Sequence, residues 1–179
     1  MRRYALCLAA IMIALVIGCQ SKQNAAPIPT GGGPSPLAFQ QEIDTLNKIL
    51  AQDPKNLNAL IKLGNLYMDT ENFPKAVENY EKALAIDGKN MNVLVDMGTC
   101  YRRMGRSEKA LEIFRDANKK DPNHAIGQLN TAVVLLYDYD KPEEALPYFE
   151  AFVKLSPGSQ QAEEVKALIV EIKRQTGKQ

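Results

Sequence analysis

The sequence predicts an all-α solenoid of about three stacked helix pairs, with one additional helix at each end. One observation is a set of turn-forming pairs that recur at spacings of 34, 34 and 35 residues. They are Asp53-Pro54, Asp87-Gly88, Asp121-Pro122 and Ser156-Pro157. The other is that the stretches between them have helical apolar periodicity and return the same residue classes. Repeats of this length bury a core by stacking on their neighbours.

The first full unit, residues 57–90, and the second, residues 91–124, match at internal positions 4, 7, 8, 11, 20, 24 and 27. These positions hold Leu60, Leu63, Gly64, Tyr67, Ala76, Tyr80 and Ala83 in one unit and Leu94, Met97, Gly98, Tyr101, Ala110, Phe114 and Ala117 in the next. The pattern resembles that of the tetratricopeptide repeat (TPR) family. The resemblance implies a right-handed α-solenoid in which the first helix of each pair lines a concave groove.

The third unit, residues 125–158, departs from the pattern. Ala132 and Leu135 match positions 8 and 11, but the second-helix residues arrive one residue late. We place the extra residue in the turn around 138–141. A shift of the first helix by one residue would instead put Leu129, Val133 and Leu136 at positions 4, 8 and 11. The sequence leaves both registers open.

Both ends contain partial units. Residues 37–56 have helically spaced apolar residues, which predicts a lone helix on the first pair. Residues 159–179 contain an amphipathic helix that is suited to cap the stack.

Local preferences agree with these boundaries. Gly105 suits the left-handed residue after a helix, and Ser107 is expected to cap the next one. Pro74 and Pro142 stand in predicted first turns, where a missing amide hydrogen is tolerated.

The first nineteen residues predict an exported lipoprotein. Arg2 and Arg3 precede a short apolar run, which is typical of a secretory signal rather than of a spanning helix. The segment Val16-Ile17-Gly18-Cys19 resembles the lipobox of bacterial lipoproteins. The resemblance implies removal of residues 1–18, acylation of Cys19 (for example by palmitate) and anchoring in the cell envelope. Because Gln20 follows the cysteine, the site would be the periplasmic face of the outer membrane in a Gram-negative organism.

An uncleaved anchor, or a signal cut elsewhere, is the alternative to lipidation.

After Cys19, the rest of residues 19–36 is rich in Ala, Pro, Gly and Ser, which predicts a flexible linker. Without Arg2 and Arg3 the chain carries 20 basic and 21 acidic residues, so charge gives no case for nucleic acid.

No constellation of residues indicates an enzyme. His124 is the single histidine and stands in a predicted turn, where a solvated side chain is expected. No set of His and Cys residues suits a metal, and Cys100 is expected to be a buried, inert thiol. We therefore expect no cofactor and no catalysis. An enzyme that uses His124 or Cys100 is a remote alternative.

The candidate peptide-binding residues are those that the family resemblance turns toward the groove. They are Asn58, Ile61, Asn65, Asn92, Val95, Thr99, Arg102 and Leu129. Ile61, Val95 and Leu129 would form an apolar stripe for one face of a helix or for alternate side chains of an extended peptide. Packing between helices is the alternative role for these residues. Arg102 and Arg103 would suit an acidic peptide, or form a solvated helix end.

Together these features predict a membrane-tethered adaptor that docks a peptide or helix of an envelope protein, for assembly of an envelope complex. The alternative is a structural scaffold that assembles with copies of itself.

Overall fold

The computed structural model describes residues 36–177. The described chain consists of eight helices: α1 (Pro36–Gln52), α2 (Leu57–Asp69), α3 (Phe73–Ile86), α4 (Met91–Arg103), α5 (Ser107–Lys120), α6 (Ala125–Val133), α7 (Pro142–Leu155) and α8 (Gln160–Thr176). The prediction of an all-α solenoid with a helix added at each end is confirmed. The predicted signal segment and Cys19, with nearly all of the linker, lie outside the described residues.

Each helix packs on the next along the chain. The pairs α2–α3, α4–α5 and α6–α7 form the three units, α1 packs on α2, and α8 packs on α7. Within residues 36–177 no helix has both the length and the apolar character needed to span a bilayer.

Short side chains define where each unit begins. Asp53, Asp87 and Asp121 each accept a hydrogen bond from the backbone amide two residues later, at 3.2, 3.1 and 3.0 Å. This local bond stabilises a turn, which explains why an aspartate recurs there. Asn56 and Asn90 then cap α2 and α4 by accepting from the amides of Ala59 and Val93.

The two helices of a unit approach closely at internal position 8. A methyl group added at Gly64 would lie 2.4 Å from the ring of Tyr80, and one added at Gly98 would lie 2.5 Å from the ring of Phe114. Both rings are fully buried. The glycines are therefore required for space rather than for an unusual backbone conformation.

The third unit adopts the unshifted register. His124 caps α6 through the amide of Gly127, at the position that Asn90 occupies one unit earlier. Ala132 is accordingly fully buried, whereas Val133 keeps partial exposure. A π-helical turn at Val134–Asp138 absorbs the extra residue. This turn begins four residues before the turn around 138–141, where the sequence analysis placed the extra residue. A π turn accommodates one additional residue without ending the helix.

The predicted roles of Gly105, Pro74 and Pro142 are confirmed, and the predicted role of Ser107 is wrong. Gly105 has a φ of 75°, and Pro74 and Pro142 lie in first helical turns. Ser107 does not cap α5; it is the first residue of that helix, and its hydroxyl donates to Asp138 Oδ2 at 2.7 Å. The prediction was wrong because the helix begins one residue earlier than expected, so that Arg106 takes the N-cap position.

Asp138 joins the second unit to the third. Arg102 donates to it through Nε and Nη2, at 2.9 and 2.8 Å. Burial acts to raise the pKa of Asp138, but the hydrogen bonds from Arg102 and Ser107 outweigh it and lower the pKa below its ordinary value. Asp138 is the last residue of the π turn that absorbs the inserted residue. The insertion therefore leads to a contact between the second and third units.

We expect Gly98→Ala to destabilise the fold by about 1–3 kcal/mol, because the added methyl group must displace the Phe114 ring. Gly88→Ala is the matched control, because its added methyl group would meet only the Leu84 carbonyl, at 3.4 Å. The control should change the free energy of unfolding by no more than about 0.5 kcal/mol. Urea unfolding of both variants and the parent chain measures the difference. Equal stability of the two variants would contradict the proposed close contact.

We expect Asp138→Asn to cost about 1–3 kcal/mol near neutral pH, because it removes a charged, half-buried acceptor of three hydrogen bonds. The folded-state pKa is lowered, so this contribution exists above the unfolded pKa and is lost as the pH falls through the folded one. The control is Glu71→Gln, which weakens the exposed pair with Arg103. Its cost should stay below about 0.5 kcal/mol. Denaturant unfolding as a function of pH tests both values.

Candidate functional site

The candidate site is the concave side, where the first helices α2, α4 and α6 lie next to one another. Of the predicted binding residues, Asn58, Asn65 and Asn92 are exposed. Ile61, Thr99 and Arg102 are half-buried, whereas Val95 and Leu129 are only 1% and 4% exposed. The predicted residues therefore divide into surface, partly covered and core positions.

Val95 and Leu129 belong to the hydrophobic core and do not reach the groove surface. α6 packs over Val95: a methyl group added at Gly127 would be in ordinary contact with Val95 Cγ2, at 3.6 Å, and would clash instead with Asn118 Oδ1, at 2.7 Å. The packing role that the sequence left open therefore describes these two residues. The continuous apolar stripe is reduced to Ile61, with the half-buried Met68 about two turns away on the same helix.

Three polar contacts tie α4 to the third unit. His124 Nε2 lies 2.8 Å from Asn92 Oδ1, Asn130 Nδ2 donates to Thr99 Oγ1 at 3.3 Å, and Arg102 binds Asp138. Asn92, Thr99 and Arg102 thus hold neighbouring units together. Their polar groups are already used within the chain.

His124 is not the solvated turn residue that the sequence predicted. It is half-buried, and its Nδ1 accepts from the Gly127 amide at 3.0 Å. An accepting Nδ1 carries no proton, so Nε2 carries it and donates to Asn92. Sequence reasoning missed this role because histidine is an uncommon cap, although its spacing of 34 residues from Asn90 pointed to it.

The groove side of α2 makes fewer polar contacts with other helices than that of α4. Asn65 Oδ1 accepts from the Tyr80 hydroxyl at 2.8 Å, and that hydroxyl lies 3.9 Å from Met68 Sδ. Asn58 forms no side-chain hydrogen bond within the described part of the chain. The part of the groove in front of α2 therefore presents amide and apolar groups to solvent.

Two aspartates at the boundary between α2 and α4 were missed by the sequence reasoning. Asp69 is exposed and Asp96 is half-buried, and within residues 36–177 neither forms an ion pair or a hydrogen bond. Burial raises the pKa of Asp96 to about 6, and the charge of Asp69 contributes to the shift. An ionisable group with a raised pKa beside a binding face is a candidate for function.

Cys100 lies behind this boundary and is fully buried, as predicted. Burial raises the pKa of its thiol to about 12, so the reactive thiolate is disfavoured. Among the described residues no group of His, Cys, Asp and Glu is arranged to hold a metal ion.

We expect Asp96→Asn to stabilise the fold by about 1–3 kcal/mol at about pH 8. The folded-state pKa is raised, so the buried carboxylate opposes folding above it, and this penalty fades as the pH falls to about 4. Urea unfolding at both pH values measures the effect, with Asp69→Asn as the exposed control. A difference between Asp96→Asn and the parent chain that does not change with pH would contradict the assignment.

Comparison with known proteins agrees with this architecture. The crystal structure of MamA is 19% identical over 79% of this chain and 92% of that chain, with a TM-score of 0.64. The structure MamA MSR-1 C2 is 25% identical over 66% of this chain and 67% of that chain, with a TM-score of 0.58. The Arabidopsis OM64 TPR domain is 16% identical over 64% of this chain and 94% of that chain, with a TM-score of 0.58. No curated protein matched the chain.

Family models identify the repeats directly. Two models, each described as a tetratricopeptide repeat, match residues 55–118 and 95–160. TPR proteins are typically interaction modules without catalytic activity, and the fold supports a protein–protein interaction adaptor. Because the two matches together span more than half of the sequence, the chain belongs to the tetratricopeptide repeat family.

Proposed function

We propose that this chain is a membrane-tethered lipoprotein adaptor that docks a peptide or helix of an envelope protein on its concave side, for assembly of an envelope complex. The lipobox-like segment ending at Cys19 supports the tether, because acylation of that residue would anchor the chain. The observation that carries the docking role is the open surface of α2. There, exposed Asn58 and Asn65 flank the half-buried Ile61.

This combination suits a protein segment better than a small molecule. Amide side chains can pair with the backbone of an extended or helical segment, while the partly exposed apolar side chain accepts one of its apolar residues. The groove is an open helical surface, whereas small-molecule sites are usually enclosed.

The same geometry favours docking on the first two units. Asn92, Thr99 and Arg102 are bonded to the third unit, and we assign them to holding the curvature of the groove. A ligand that used their polar groups would first have to break contacts between units. We therefore place the partner in front of α2 and of the α2-facing side of α4.

Photo-crosslinking in intact cells tests the proposal, with a probe placed singly at Asn58 or Asn65 and a control probe at Lys82 on α3. Lys82 is exposed and lies on a second helix, away from the groove. We expect both groove probes, and not the control, to capture one envelope protein identifiable by mass spectrometry. Capture of only a second copy of the chain would instead support the self-assembling scaffold.

The tether is tested in the same cells by membrane fractionation. We expect Cys19→Ala to abolish acyl labelling and, where residues 1–18 are still removed, to move the chain from the membrane fraction to the soluble fraction. Crosslinking of this variant from Asn58 tests docking separately from the tether. Loss of the anchor should lower the yield of the crosslinked product without changing the identity of the captured protein. Acyl labelling that persists in the variant would contradict anchoring through Cys19.

A further inference from the structure

The arginines on the groove side are neutralised by the chain itself. Arg102 forms a two-point ion pair with Asp138 in which the side chains are only 27% and 17% exposed. Arg103 pairs with Glu71 at 3.2 Å and lies over the ring of Phe73, 5.7 Å from its centroid. The possibility that these arginines receive an acidic peptide is therefore not supported by their contacts.

The carboxylates on the same side are in the opposite situation. Asp69 at the end of α2 and Asp96 in the middle of α4 face no basic side chain within ion-pair distance among the described residues. The raised pKa of Asp96 agrees with this, because a nearby cation would lower it. Lys62 stands in unit one where Asp96 stands in unit two, but it is exposed and forms no ion pair with either carboxylate in the described chain.

The repeat itself indicates the direction in which Asp96 points. Asn130 is the equivalent residue of the third unit, and its side chain reaches back across the groove side to Thr99 on α4. Because Asp96 and Asn65 stand one unit before Asn130 and Thr99, the same geometry predicts that Asp96 lies near Asn65 on α2. Its electrostatic effect on Tyr80, whose hydroxyl binds Asn65, is consistent with this placement.

Apolar groups lie beside these carboxylates. Ile61 and Met68 are half-buried on α2, and Met68 approaches the same Tyr80 hydroxyl that binds Asn65. We call the surface formed by Ile61, Asn65, Met68, Asp69 and Asp96 the acidic seam. It combines one amide, two apolar side chains and two carboxylates that have no ion-pair partner in the described part of the chain.

We propose that the acidic seam binds a segment of a partner protein in which a lysine or arginine is flanked by apolar residues. This inference rests on the proposed adaptor function and specifies the chemistry of its ligand. A cationic head group would meet the two carboxylates, while its aliphatic stem and the flanking residues would lie on Ile61 and Met68. An acidic segment would be repelled, which gives the surface selectivity as well as affinity.

The test is selection of a displayed library of random twelve-residue peptides on the full-length chain. The Asp69→Asn/Asp96→Asn double variant removes both charges with little change of shape. The Glu81→Gln/Glu108→Gln variant is the matched control, because it removes two exposed carboxylates from the second helices α3 and α5. Circular dichroism verifies that all three proteins are folded, and fluorescence anisotropy measures the affinity of the selected peptides.

We expect the selected peptides to be enriched in Lys or Arg next to apolar residues and to bind the control variant unchanged. Their affinity for the seam variant should fall at least about tenfold, since each loses a partly buried charge partner. Binding should also weaken as the salt concentration rises.

Two other results would overturn the inference in different ways. In the first, a bulky residue at Asn58 or Asn65 blocks binding of the selected peptides, but the peptides lack basic residues or bind the seam variant equally well. This result would refute the charge selectivity and leave the adaptor function supported. No peptide that depends on the groove would refute both the acidic seam and peptide docking on this face.

Discussion

The architecture depends on the close contact between the two helices of each unit. At Gly64 and Gly98 the first helix has no side chain, and the fully buried rings of Tyr80 and Phe114 occupy the space. This contact sets the distance between the helices, and repeating it at a fixed period makes the units stack in the same way. Because each second helix covers one side of its first helix, the opposite side of α2, α4 and α6 remains as the concave surface.

Much of the fold could be predicted because its determinants are local. The aspartate of each turn and the small residue at internal position 8 act within one unit, so their period is visible in the sequence. The register of the third unit is not visible in the sequence. Ala132 with Leu135 and Val133 with Leu136 are equally apolar choices for internal positions 8 and 11. The deciding residues are His124, which takes the capping role of Asn90, and the π turn that absorbs the inserted residue.

The site was harder to predict because its residues depend on neighbouring units. The family resemblance alone placed Val95 on the groove surface, but α6 packs over it and Val95 lies in the hydrophobic core. In the same way Arg102 was expected to face a ligand, and a carboxylate from 36 residues later in the chain neutralises it. The result is an asymmetric groove. Polar contacts fix α4 against the third unit, whereas α2 and α4 share no side-chain hydrogen bond within the described residues.

The junctions on either side of α4 place different polar residues at the same repeat position. At one junction Asn130 satisfies its amide by donating to Thr99, and no charge is involved. At the other, Asp96 keeps a half-buried carboxylate near Asp69, and its side chain receives no hydrogen bond from residues 36–177. An asparagine there would serve packing better, because it avoids burying a charge. Above a pH of about 6 the carboxylate is largely ionised, and a cationic group of a bound segment would offset this penalty beside the open surface of α2.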